Sequence, residues 1–191
     1  RPVESAVWHP THLGRCAHRF DRSSLYDGYM HILVTAASKH GATDEVADAI
    51  AKRLEAKGFT VDRAAPADVT TVERYDAVIV GSAIYILQWM PEAHDFMERF
   101  KDELRAKQVW AFSVGMNGVP KHSEQDGSRV GPLLTHVNCR ELRTFPGRYK
   151  PTLMSLRERS VARLAGVVEG DFRDWDVIDE WADHIASELS A

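Results

Sequence analysis

From Met30 onward, apolar and polar positions fall into alternating blocks of two periods. "HILVTA" (31–36) is a short apolar run, the pattern of a buried strand. "TDEVADAIAKRLEAKG" (43–58) follows, with Val46, Ala47, Ile50 and Leu54 recurring at helical spacing. Thr43, Asp44 and Glu45 suit the start of that helix and Gly58 its stop. "FTVDRA" (59–64) alternates as a second strand, "YDAVIVGSA" (75–83) is a strongly apolar third, and "KQVWAFSVG" (107–115) is a fourth. Between the third and fourth, "PEAHDFMERFKDEL" reads as a helix opened by Pro91, which suits a first helical turn. "SRVGPLLTHVN" (128–138) predicts a short helix, and the more polar "CRELRTFPG" (139–147) a fifth strand at a sheet edge. "LMSLRERSVARLAGVV" (153–168) predicts a further helix. "DWDVIDEWADHIASEL" predicts the last one, burying Val177, Ile178, Trp181, Ile185 and Leu189.

Strands alternating with helices of this length predict an α/β fold: a parallel sheet covered by helices on both faces and joined by right-handed crossovers. Residues 1–29 break the pattern. They mix Arg, His, Ser and Pro without a period, so a largely disordered extension is expected before a domain spanning 30–191.

Composition changes this picture little. Of the 191 residues, 44% are hydrophobic and 27% charged, the balance of a globular domain with a real core. A net charge of -4 argues against nucleic acid as a partner. Cys16 and Cys139 are far apart in sequence and lack metal-ligand spacing, which suits a reducing, cytoplasmic setting. His9, His12 and His18 are irregularly spaced with no acidic or Cys partner nearby, so no metal site is expected.

Candidate chemistry lies at the carboxyl ends of the strands, where open parallel sheets bind ligands. The segment "ASKHGA" joins the first strand to the first helix. Backbone N–H groups at a helix start and the helix dipole both attract an anion there. Ser38 and Thr43 add hydroxyl donors, and Gly41 lets the backbone curl close. Neither GxxxxGK[ST] nor GxGxxG is present, so a nucleoside-triphosphate loop and a dinucleotide fingerprint are not expected. A single terminal phosphate suits the loop.

With that motif, the loop "SKHGAT" after an apolar strand resembles the phosphate loop of flavodoxins, a Ser/Thr-rich turn ending Gly-x-Thr. Ser38, Gly41 and Thr43 match it, while Lys39 and His40 stand where Thr is common and Ala42 where Asn is common. The resemblance implies a three-layer flavodoxin-like fold with a five-stranded parallel sheet of order 2-1-3-4-5, and FMN as cofactor. It also implies ring contacts from Ser82, Ala83, Ile84 and Tyr85 after the third strand, with Trp89 beyond them, and from Ser113, Val114, Gly115, Met116 and Asn117 after the fourth. Tyr85 and Trp89 either stack on the ring or pack as core beneath the loop. Gly81 and Ser82 are expected to let the ring approach the backbone.

The chain carries a helical insertion around 146–170, followed by "GDFRDWDVIDEWA". An insertion here and an Asp-Trp before the last helix are similar to the menaquinone-dependent protoporphyrinogen dehydrogenase group of flavodoxin-like proteins. That resemblance implies an FMN-dependent oxidoreductase with a redox partner or small-molecule substrate, a quinone or a porphyrinogen among the candidates. The alternative is a diffusible FMN electron carrier without its own substrate. No catalytic acid–base constellation is expected, because the flavin carries the redox chemistry. Leu153, Leu156, Ser160, Val161, Leu164 and Val168 fall near one side of the insertion and Arg157, Arg159 and Arg163 crowd elsewhere. Such a basic amphipathic segment, 152–168, suits either peripheral contact with the inner face of a membrane or packing against protein.

Overall fold

A computed structural model describes residues 30–85, 88–115, 134–164 and 166–191. The expected N-terminal extension and most of the expected 128–138 helix lie outside these residues.

Strand β1 (His31–Ala37) is the hydrophobic axis of the molecule, buried from Ile32 to Ala37. It pairs in parallel with β2 (Thr60–Ala64) on one side and β3 (Ala77–Tyr85) on the other. Strand β5 (Gln108–Gly115) adds to β3, and β6 (Cys139–Pro146) adds to β5, both in parallel. The resulting order, β2-β1-β3-β5-β6, is the expected 2-1-3-4-5 once β4 (Gln88–Trp89), a short antiparallel strand folded back on β3, is counted. The polar β6 lies at the sheet edge.

The period-2 geometry of the strands sorts their side chains into two cores. Ile32, Val34, Ile79, Trp110, Phe112 and Phe145 point to one face. There they meet α1 (Ala42–Ala56) and the last helix, α5 (Trp175–Leu189). Leu33, Val78, Val80, Val109 and Ala111 point to the other, against Phe96, Met97, Phe100 and Leu104 of the α2–α3 segment. That segment, expected as one helix, breaks at Phe100 into α2 (Pro91–Arg99) and α3 (Lys101–Leu104). Both faces of the sheet are therefore covered, which is why its central strands read as continuous apolar runs rather than alternating ones.

Helix α1 ends as its sequence predicts. Gly58 has φ 94°, its N–H donates to Glu55 O, and Phe59 N–H donates to Leu54 O, the paired bonds of a Schellman stop. Helix α5 starts at Asp174, whose carboxylate accepts from the N–H groups of Asp176 and Val177. Between β6 and α5 the chain forms a two-stranded antiparallel ribbon of β7 (Arg148–Tyr149) and β8 (Gly170–Asp171). A 3₁₀ turn (Pro151–Leu153) and helix α4 (Leu156–Leu164) lie between those two strands. Among the described residues, no helix is long and apolar enough to cross a membrane.

Candidate functional site

The β1–α1 loop sits at the carboxyl edge of the sheet. Gly41 caps α1 with φ 82°, a left-handed conformation that a side chain would strain. Among the described residues no side chain caps the helix start, so the first-turn amides of α1 have no side-chain cap there. Ser38 Oγ is buried in this loop with no hydrogen-bond partner among the described residues. Thr43 is buried in the first turn of α1. An uncapped helix start beside an unpartnered hydroxyl is a donor set that fits a phosphate.

Two further groups shape the loop. Lys39 Nζ lies 2.7 Å from Glu158 Oε1 of α4, and His40 Nε2 lies 3.4 Å from the same oxygen. The Lys39 ammonium also sits 3.5 Å from the centroid of the Tyr85 ring, a cation–π contact. The Glu158 carboxylate, and then Tyr85, push the Lys39 ammonium to a higher pKa. Lys39 first, and the Ser155 donors second, hold the Glu158 carboxyl well below the usual carboxylate range.

The residues expected to line a ring divide into two groups. Strand β3 runs through Ser82, Ala83, Ile84 and Tyr85 and turns back in a hairpin, with Ile84 opposite Trp89 and Tyr85 opposite Gln88. The expected loop is therefore a β-ribbon. Tyr85 is 38% exposed at its tip. Trp89 is only 7% exposed and belongs to the core, its indole N–H donating to Ser113 Oγ at 2.9 Å. Of the two readings of Trp89, its placement corresponds to core packing. Ser82 and Ser113 are fully buried. Ser82 Oγ accepts from Met90 N–H and donates to Ala83 O, so both hydroxyls are already used in fixing the hairpin. Val114 packs in the core and Gly115 ends β5 beside Pro146. Met116 and Asn117 lie outside the described residues.

Gly81 corrects one expectation. The Phe112 ring fills the space a side chain at Gly81 would need, so that glycine makes room for core packing between β3 and β5 rather than for a ligand.

The sequence reading also missed residues around the loop. Arg173, 3% exposed, is held between Asp171 (2.6 Å) and Glu45 (2.7 Å). Arg148 makes two hydrogen bonds to Glu45, at 2.8 and 3.1 Å. Arg173 holds the Asp171 and Glu45 carboxyls below their usual range. This network fastens the β7–β8 ribbon to the first turn of α1. No local signal could reveal pairs more than 100 residues apart, since Glu45 and Arg148 are separated by 103 positions. Glu158 had a signal: Ser155 followed three residues later by Glu is a capping box, and the two side chains do cap each other's backbone. Burial pushes the Cys139 thiol up to about 11, which keeps it protonated and inert at neutral pH.

The fold has many solved counterparts. Rubredoxin oxygen:oxidoreductase from the anaerobe Desulfovibrio gigas matches with a TM-score of 0.58 and 16% identity over 84% of this chain, which spans only 36% of that protein. A flavodoxin from the domain Archaea matches over its whole length and 85% of this chain, with a TM-score of 0.55 and 18% identity. The apo form of an NADH:FMN oxidoreductase, EMOB, matches over 89% of its length and 83% of this chain, with a TM-score of 0.56 and 15% identity. No curated protein matches the chain by sequence. At these identities the structural likeness establishes the fold. The family rests on a separate finding: residues 33–172, from β1 through the ribbon, match the family model described as Flavodoxin domain. The chain belongs to the flavodoxin-domain family.

Proposed function

We propose that this chain binds FMN through the β1–α1 loop. In this reading it works as an oxidoreductase between a reduced donor and a quinone-type or other acceptor, with protoporphyrinogen as one candidate donor. The observation that carries the reading is the start of α1 at Gly41, uncapped by a side chain among the described residues, beside the buried Ser38 Oγ, which has no hydrogen-bond partner among them. Membership of the flavodoxin-domain family supports it. The backbone amides of the loop, Ser38 and Thr43 hold the phosphate, and Lys39 contributes charge. Tyr85 offers an exposed aromatic wall beside the loop. When bound, the flavin supplies the redox chemistry, and the protein supplies binding, orientation and electrostatics.

Adding FMN to purified protein, removing the excess, and recording flavin absorbance tests this directly. Retained flavin at one equivalent is expected, and a protein that stays colourless sinks the reading. Anaerobic titration of the loaded protein with a quinone and with protoporphyrinogen then separates an enzyme from a diffusible electron carrier. Catalytic turnover of donor with acceptor is expected of the enzyme, whereas a carrier gives at most stoichiometric oxidation or reduction of its flavin.

The insertion supports a second element of the proposal, peripheral contact with a membrane surface through 152–168. Leu156 and Leu164 of α4 are 78% and 89% exposed, and Val161 is exposed with them. Arg157, Arg159 and Arg163 on the same short helix supply the charge that anionic lipid attracts. Flotation with anionic vesicles is expected to carry the protein upward, and Leu156→Ser with Leu164→Ser to abolish it. Failure of the unaltered protein to float removes the membrane contact.

A further inference from the structure

Helix α4 has no buried residue, so no apolar core holds it to the sheet domain. Among the described residues, its polar ties to that domain are those of Glu158 to Lys39 and His40, both in the phosphate loop. The Glu158 side chain is 14% exposed, and it sits across the loop as an anion against the loop's lysine. Its other oxygen, Oε2, accepts from Ser155 N–H and Oγ–H and so belongs to the start of α4 itself.

We propose that Glu158 is an internal anion that competes with a phosphate group for Lys39, so that phosphate entering the loop displaces Glu158 and frees α4 from the domain. The inference rests on the loop being a phosphate site. A phosphate monoester brings close to two negative charges at neutral pH, and Lys39 is a single compact ammonium. With Glu158 in place, the phosphate meets a like charge on the same ammonium, well inside a Debye length, where salt screens the repulsion only in part. Two changes relieve it: the carboxylate leaves, or the phosphate binds more weakly. Departure meets little resistance, because α4 gives up no buried apolar side chain. The capping box between Ser155 and Glu158 Oε2 travels with the helix, so α4 is released as a unit with its exposed Leu156, Val161 and Leu164. By linkage, the factor by which phosphate loosens α4 is also the factor by which a docked α4 weakens phosphate binding, so a chain whose α4 no longer docks binds phosphate more tightly.

Hydrogen–deuterium exchange over residues 155–164, on the full chain with and without FMN, tests the proposal, with riboflavin as the same ring lacking phosphate. FMN is expected to speed exchange in α4 by about tenfold, within the usual range of coupling between sites, and riboflavin to leave it unchanged. Glu158→Gln keeps a hydrogen-bonding side chain in the capping box but removes the charge. This variant is expected to show fast exchange in α4 without FMN, no further response to FMN, and FMN affinity raised by about tenfold. If FMN binds the unaltered chain yet α4 exchange is unchanged or slowed, or riboflavin speeds it equally, the competition is overturned and the phosphate site stands. If neither the unaltered chain nor Glu158→Gln binds FMN or inorganic phosphate, the phosphate site itself fails, and the competition with it.

Discussion

Replacing Ser38 and Thr43 together by Ala is expected to weaken FMN binding by about a hundredfold or more, with the fold intact. Each hydroxyl is read as donating to a phosphate oxygen, and a hydrogen bond to a charged group is worth about 1.5–3 kcal/mol. Two such bonds give about 3–6 kcal/mol, and each 1.4 kcal/mol is tenfold in affinity. The fold should tolerate the Ser38 change in particular, because its Oγ has no hydrogen-bond partner among the described residues to leave stranded. Thr43→Ser separates packing from hydrogen bonding at the buried Thr43. That single variant is expected to retain most of the affinity that Thr43→Ala loses. Fluorescence titration of FMN, read beside the thermal midpoint, is the measurement. Unchanged affinity in the double variant would refute the assignment of the loop.

The second large effect is expected at Arg173. Arg173→Ala should lower global stability by about 2–3 kcal/mol, between the values for exposed pairs and for fully buried ones. The guanidinium is almost entirely buried, while Asp171 and Glu45 keep 42% and 45% of their side-chain surface, so water takes over part of their solvation once it is gone. Urea unfolding gives the value from the midpoint, with the slope unchanged if the native surface is preserved. A loss under about 0.5 kcal/mol would class the whole network with ordinary surface ion pairs. The pH dependence has a definite sign. Asp171 and Glu45 have depressed carboxyl pKa values in the folded chain. Their contribution is present above the ordinary carboxylate pKa and lost as pH falls through the lower folded values. Stability of the unaltered chain therefore drops more steeply on acidification than that of Arg173→Ala.

Which parts of this molecule could be read without coordinates follows from the range of the interactions involved. The alternation of apolar and polar blocks predicted β1, β2, β3, β5 and β6, because a strand buried on both faces reads as an apolar run and a half-buried one as an alternation, while their order followed from the resemblance of the loop motif to flavodoxins. The turn between Ala37 and Ala42 was legible for a related reason: a glycine and small polar residues before a helical pattern act through their own backbone and through the helix that follows immediately. The hairpin that carries Tyr85 outward and Trp89 inward was not legible. An aromatic pair four residues apart has no face until β4 folds onto β3, and Trp89 turns inward because Ser113, on a different strand, offers its indole an acceptor. Gly81 likewise looked like an opening for a ligand and proved to be room for Phe112.

The sequence by itself determined the layered α/β architecture, the strand that precedes the loop, the glycine at its turn and the amphipathic character of the insertion. These depend on periodicity and local conformational preference, which act over a few residues. Only the tertiary structure decided that α4 lies across the loop through Glu158, and that Arg148 and Arg173 reach back to Glu45. Charge pairs leave no period in a sequence, and any of the 24 basic residues could in principle have met any of the 28 acidic ones. The fold selected among them by bringing the end of β6 and the ribbon after it beside the first turn of α1.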